Sequence, residues 1–130
     1  MPYQFVIDKA AKVVRETWTG VVTVADLKES SRAEWAHPDF QKDLNMISDF
    51  RRGSVEISTE EMWGLVSWFG QSEWVGKHAL VVSREVGFGL ARMFSTISEG
   101  QKHYSDSLQV FYSYEDAEKW LADSAVASKG

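Results

Sequence analysis

The chain has no cysteine among its 130 residues. Disulfides, thiolate nucleophiles, redox pairs and cysteine-based zinc sites are therefore excluded, and a reducing compartment suits it. Long basic runs are missing as well: Arg51-Arg52 is the densest cationic pair. No stretch comes near the roughly 20 apolar residues that span a bilayer. The first residues, Met-Pro-Tyr-Gln-Phe-Val-Ile-Asp, have neither a basic n-region nor a long apolar h-region. These absences lead to the expectation of a cytoplasmic protein without membrane insertion. Compact catalytic signatures are lacking too: there is no Gly-x-Ser-x-Gly elbow, P-loop or His-Glu-x-x-His. His37, His78 and His103 fall in different elements without ligand spacing. No serine lies near a histidine and a carboxylate in a recognisable order. The expectation is a non-enzyme with no metal and no cofactor.

What the chain does contain is apolar material, 44% of its residues, and an acidic balance of 19 Asp and Glu against 14 Lys and Arg. The net charge of −5 argues against nucleic acid and anionic membrane surfaces as partners. The length suits one domain. There is no internal repeat and no linker, so residues 1–123 read as that domain and 124–130, small and polar, as a frayed tail.

Hydropathy patterning gives the elements. Tyr3, Phe5 and Ile7 alternate with Gln4 and Val6, as in a strand with one buried face. Asp8–Ala11 turns the chain into a second strand, Lys12–Thr19, and so short a connection implies an antiparallel hairpin. Gly20 is expected to break that strand. Thr23 precedes Asp26 by three residues, as at a helix start, and Leu27, Ser31 and Trp35 then share a face until Pro38. Leu44–Phe50 reads as a third strand that Arg51-Arg52-Gly53-Ser54 leaves. Ser58-Thr59-Glu60-Glu61 is a capping box ahead of a helix carrying Met62, Val66 and Phe69, which Gly70 ends. The apolar run from His78 to Ser83 reads as a central strand covered on both faces. Residues 86–98 are helical in pattern, Leu108–Tyr112 forms the last strand, and Ser113 caps a helix over Tyr114–Ala122. The order β-β-α-β-α-β-α-β-α predicts an α/β fold with a largely parallel sheet.

Four segments carry a family likeness. They are Gly20-Val-Val-Thr-Val-Ala-Asp-Leu27; His37-Pro-Asp-Phe40 leading to Asn45-Met-Ile-Ser-Asp-Phe-Arg51; Phe88-Gly-Leu-Ala-Arg-Met-Phe94; and Val110-Phe-Tyr-Ser-Tyr-Glu-Asp-Ala-Glu-Lys-Trp-Leu121. In that order the chain resembles the SpoIIAA-like branch of the STAS superfamily. The resemblance implies a mixed five-stranded sheet with about four helices. Better-known relatives switch protein partners by phosphorylation of a Ser or Thr after the third strand, within an Asp-Ser-Ser-Gly-Leu-like sequence. Here that place holds Ile57-Ser-Thr-Glu-Glu-Met62. Some members look like lipid carriers of the SEC14 type, which brings in an apolar ligand.

Candidate site residues follow from these readings. Ser58 and Thr59 stand at a helix N-terminus, where a phosphate would meet free amides; the simpler role of Ser58 is a cap, and Glu60 and Glu61 would repel added charge. Asp49, Arg51, Ser83 and Arg84 leave the carboxyl ends of parallel strands, where ligands of open α/β sheets bind; the plainer reading is an Asp–Arg structural network. Arg92 is the odd charge of an apolar helix; a buried guanidinium there would need a carboxylate partner, with Asp49 the candidate, and otherwise Arg92 points outward into solvent. Gly87-Phe88-Gly89 precedes that helix without completing a dinucleotide fingerprint. Trp63, Trp68 and Trp74 cluster around the second helix, either as an exposed aromatic surface or as a cover over the core.

Two functions stay open. The leading one is a regulatory or interaction module of STAS type that binds a protein partner or a second copy of itself through the second helix. It predicts Trp68 or Trp74 on a flat surface and no deep pocket. The alternative is a carrier or sensor of a small apolar or amphipathic, lipid-like ligand, which predicts an apolar cavity between sheet and helices.

Overall fold

A computed structural model describes residues 2–84 and 108–127. Five strands, β1 (Tyr3–Asp8), β2 (Val13–Val22), β3 (Asn45–Val55), β4 (His78–Val81) and β5 (Leu108–Phe111), form one sheet in which spatial order equals chain order. β1 runs antiparallel to β2, and every other neighbouring pair is parallel. Helix α1 (Val24–Trp35) links β2 to β3, α2 (Thr59–Gly70) links β3 to β4, and α3 (Tyr114–Ala127) follows β5. The chain is thus an α/β domain with a mixed sheet, with three helices among the described residues. The helix expected over 86–98 lies outside them, as do Arg92, the Gly87-Phe88-Gly89 turn and His103.

Local chemistry starts these elements where the pattern predicts. Asp8 Oδ1 accepts from the Ala11 amide at 3.1 Å, and Lys12 takes a positive φ of 56° to close the β1–β2 turn. Both internal helices begin with complete capping boxes: Thr23 with Asp26, and Ser58 with Glu61. Each satisfies two amides that the helix itself leaves unpaired.

Three elements run further than the pattern suggests. β2 does not stop at Gly20. It passes through that residue at φ +73°, a conformation glycine adopts without strain, and pairs Gly20 with Gly53. β3 accordingly extends through Arg51–Ser54 to Val55 rather than ending at Phe50. The ladder slips once on the way: Thr17 faces Asp49 while Thr19 faces Arg52, so Phe50 and Arg51 together oppose Trp18 in a bulge. α3 continues past Ala122 to Ala127, in keeping with the alanines at 122, 125 and 127 and their high helix propensity.

The period of two along the strands sorts side chains into two layers. On one face Trp18, Val22, Phe50, Leu80 and Val82 pack with Met62, Leu65, Val66 and Phe69 of α2. Trp18 is fully buried, with the rings of Tyr3 and Phe50 at 5.1 and 5.6 Å. On the other face Val13, Ile47, Ala79 and Val81 meet Ala117 and Leu121 of α3. Full burial of each such large apolar side chain is worth about 1.5–3 kcal/mol. Arg15 ties α3 to the hairpin, donating to Asp8, Tyr114 and Glu118.

Candidate functional site: a polar floor under an apolar cavity

The face of the sheet that α1 and α2 cover is apolar except at its middle. Glu16 and Trp18, two residues apart on β2, point to that face together. Ser48 is the cross-strand partner of Glu16 on β3, and His78 of β4 stands opposite Met46, two residues before Ser48. Parallel pairing therefore brings three polar side chains from three adjacent strands together beneath the helices. All three are buried.

Their hydrogen bonds form a chain. Glu16 Oε1 accepts from Trp18 Nε1 at 3.1 Å and from Ser48 Oγ at 2.5 Å. Ser48 Oγ also lies 2.7 Å from His78 Nε2. A hydroxyl has one proton, and that of Ser48 is directed to Glu16. The proton in the Ser48–His78 contact then belongs to Nε2, which leaves Nδ1 a bare acceptor. Nδ1 is buried with no hydrogen-bond partner among the described residues. Burial pushes the His78 pKa down to about 4, against a smaller opposing pull from Glu16, so the ring is neutral at pH 7. The rings of Trp74 and Phe69 flank it edge-on at 5.5 and 6.5 Å.

Above this floor is a cavity of about 50 Å³. The sheet contributes Glu16, Met46, Ser48, Phe50, His78 and Leu80; α1 contributes Leu27, Ser30 and Ser31; α2 contributes Met62, Leu65, Val66 and Phe69. No Lys or Arg is among its described lining residues. Glu34, on the same helix as the two serines, is fully buried beside Glu16. Burial, reinforced by the charge of Glu16, raises its pKa to about 12. Glu34 is therefore a neutral acid at pH 7.

The residues singled out from sequence are distributed differently. Arg51, Ser83 and Arg84 do share one cleft, at the carboxyl ends of the strands, with Tyr112, Ser113 and Asp116. Asp49 is held by Arg51, which donates to it through Nε at 2.9 Å and Nη2 at 2.8 Å. The partner of Asp49 among the described residues is thus its neighbour on the same strand, while Arg92 lies outside the described residues. Ser58 and Thr59 are exposed at the start of α2 and do not line that cleft, because the extended β3 carries the chain past it. Ser58 Oγ accepts from the Glu61 amide at 3.1 Å, the capping role.

Trp63, Trp68 and Trp74 are half-buried and packed against the core rather than spread on a surface. Trp74 Nε1 donates to the Leu44 carbonyl at 2.7 Å. Trp68 stacks on Trp35 with ring centroids 5.2 Å apart, and Lys28 and Arg32 lie over its ring at 5.6 and 5.4 Å.

Sequence reasoning passed over Glu16, Ser30, Glu34 and Ser48, and placed Ser31 on the inner helix face without a site role. One signal for two of them existed: Glu16 interrupts the Val14–Trp18 face, and Ser48 interrupts the Met46–Phe50 face. A polar residue on the buried face of a strand needs a partner. Among the described residues no His, Asp and Glu side chains converge as metal ligands do, and no helix is long and apolar enough to cross a membrane. No model of a known protein family matches the chain, and no curated protein matches it either.

Proposed function

We propose that this domain binds a small apolar or amphipathic molecule in the cavity between its sheet and α1–α2, as a carrier or sensor of STAS/SEC14 type. The reading takes the segment 86–98 as the fourth helix of such a fold. The observation that carries it is the combination of an apolar chamber with a buried, incompletely bonded polar floor. Buried polar groups normally have partners, and a ligand site is typically apolar with a few convergent polar groups. His78 brings to that floor an acceptor with no partner among the described residues. Packing of Trp68 and Trp74 against the core supports this reading over a docking surface on α2.

The volume bounds the ligand. A cavity of roughly 150 Å³ holds benzene, so about 50 Å³ accommodates a head group with about one carbon before any side chain moves. Met46 and Met62 line it, and methionine side chains repack readily, which gives a longer tail room to enter.

Ser48 and His78 are within hydrogen-bond distance of each other, but their arrangement is not that of an activated nucleophile. The carboxylate bonds the serine, not the imidazole, so it does not orient the base as a triad carboxylate does. Ser48 sits in the interior of a strand paired on both sides, where backbone amides serve the ladder rather than an oxyanion. The three side chains act in this proposal as an anchor for a head group.

Native mass spectrometry of the freshly purified chain, compared with its denatured mass, tests the reading. An adduct that denaturation releases, and that a Leu65→Trp variant filling the cavity fails to carry, is the expected result. A bare native mass, together with no change in melting temperature or in Met46 and Met62 methyl resonances on adding short-chain alcohols, acids and amines, would sink it.

A further inference from the structure

The chemistry of the floor says which head group belongs there. Every charged or titratable side chain on the described cavity wall is an acid or a neutral imidazole: Glu16 accepts two hydrogen bonds, and His78 offers a bare Nδ1. Among the described lining residues the other polar side chains are the hydroxyls of Ser30, Ser31 and Ser48. That of Ser30 donates to the Leu27 carbonyl at 2.9 Å, and that of Ser48 to Glu16. Among its described lining residues the site is rich in acceptors and has no cation.

A carboxylate placed here would be desolvated beside Glu16 with no counter-charge among the described lining residues, the arrangement that low-dielectric interiors penalise most. A hydroxyl fits instead. It supplies the proton that the unpartnered ring nitrogen needs, and it carries no charge to desolvate. We infer that the molecule bound in this cavity presents an uncharged hydroxyl, and not a carboxylate, to Glu16, Ser48 and His78. The inference rests on the ligand reading above and adds to it the class of ligand: an alcohol with a short apolar chain rather than a fatty acid.

Three probes of matched chain length separate the possibilities: hexan-1-ol, hexanoate and hexylammonium, titrated into the full chain at neutral pH. Binding is read from the Met46 and Met62 methyl resonances. Hexan-1-ol is expected to shift both methyls in a saturable way, with hexanoate at least tenfold weaker. A Glu16→Gln variant, which keeps an acceptor oxygen for Trp18 and Ser48 but removes the charge, is expected to narrow that gap severalfold. Hexanoate or hexylammonium binding as tightly as the alcohol in the unmodified chain overturns the hydroxyl inference while leaving a ligand cavity in place. Failure of all three probes to move either methyl overturns the ligand reading itself.

Discussion

Ser48 on β3 and His78 on β4 meet at 2.7 Å through Oγ and Nε2 although thirty residues separate them in the chain. The contact exists because parallel pairing sets Met46 opposite His78, so Ser48 is the next residue on that face. It joins the Glu16 carboxylate to the imidazole across three strands. Ser48→Ala would break both bonds at once, leaving His78 with no partner on either nitrogen among the described residues. A loss of about 1–3 kcal/mol in unfolding free energy is expected, measured by urea denaturation with the m-value unchanged. Stability equal to the parent chain would mean that the chain of hydrogen bonds is not formed in solution.

Glu34 and His78 oppose one another in their effect on stability as pH changes. The folded chain keeps the Glu34 proton up to about pH 12, whereas an unfolded chain releases it above 4.5. The stabilisation this gives is complete below pH 4.5 and falls as pH rises. His78 has the opposite sign: its folded pKa of about 4 lies below the unfolded 6.5, so its contribution grows as pH rises between those values. The two slopes cancel between pH 4.5 and 6.5. Between pH 6.5 and 10, below the range where Tyr3, itself raised by burial, begins to contribute, Glu34 sets the slope, and stability declines by up to about 1.4 kcal/mol per pH unit. In Glu34→Gln this alkaline decline should vanish. Melting temperatures of both proteins across that range check it, and parallel curves would refute it.

Gly76 occupies a place where no side chain fits. A Cβ there would come within 1.9 Å of the Leu44 carbonyl oxygen and 2.7 Å of Trp74 Nε1, the two atoms that bond each other. Gly76→Ala must therefore separate them, and with them the Trp74 ring that packs beside His78. A destabilisation of more than about 2 kcal/mol is expected, with a blue or red shift in tryptophan emission reporting the displaced indole. Gly70, whose added Cβ would meet nothing within 4 Å, serves as the control, and equal effects at the two positions would contradict this account.

The sequence revealed those features that are written locally. Both capping boxes formed because hydroxyl and carboxylate stand three residues apart, a spacing visible without the fold. β1 and the buried β4 likewise followed from alternation and from continuous apolar character. Gly20 misled because a glycine weakens a strand in isolation, whereas here the opposing length of β3 carries the ladder through it. The polar floor was harder still. Glu16, Ser48 and His78 each look ordinary within their own segments, and only cross-strand register places them together. The carboxyl-edge cleft could be anticipated because topology alone gathers strand ends. The Asp49–Arg51 pair was not legible because an in-strand bulge, which turns Arg51 back onto Asp49, leaves no mark in hydropathy, and Arg92 lies outside the described residues.

That bulge yields a last expectation. Where Phe50 and Arg51 oppose Trp18, the Arg51 amide leaves the regular ladder and donates to Asp49 Oδ1 at 3.0 Å, while its guanidinium grips the same carboxylate. Burial of Asp49 works against its charge, but these hydrogen bonds outweigh that and hold its pKa below 3.8. The resulting stabilisation is present above pH 3.8 and disappears as pH falls through the folded pKa. Asp49 is the more buried partner, at 15% exposure against 46% for Arg51. Removing the carboxylate therefore removes the cap on the bulged amide as well as the ion pair. Arg51→Ala should cost less than about 1 kcal/mol, the usual range for an exposed pair, and Asp49→Ala about 1 kcal/mol more. A double-mutant cycle measured at neutral pH and again near pH 2.5 separates the ion pair from the amide cap. The Asp49–Arg51 coupling should shrink at the acid end, and a coupling independent of pH would show that the carboxylate charge does not hold the bulge.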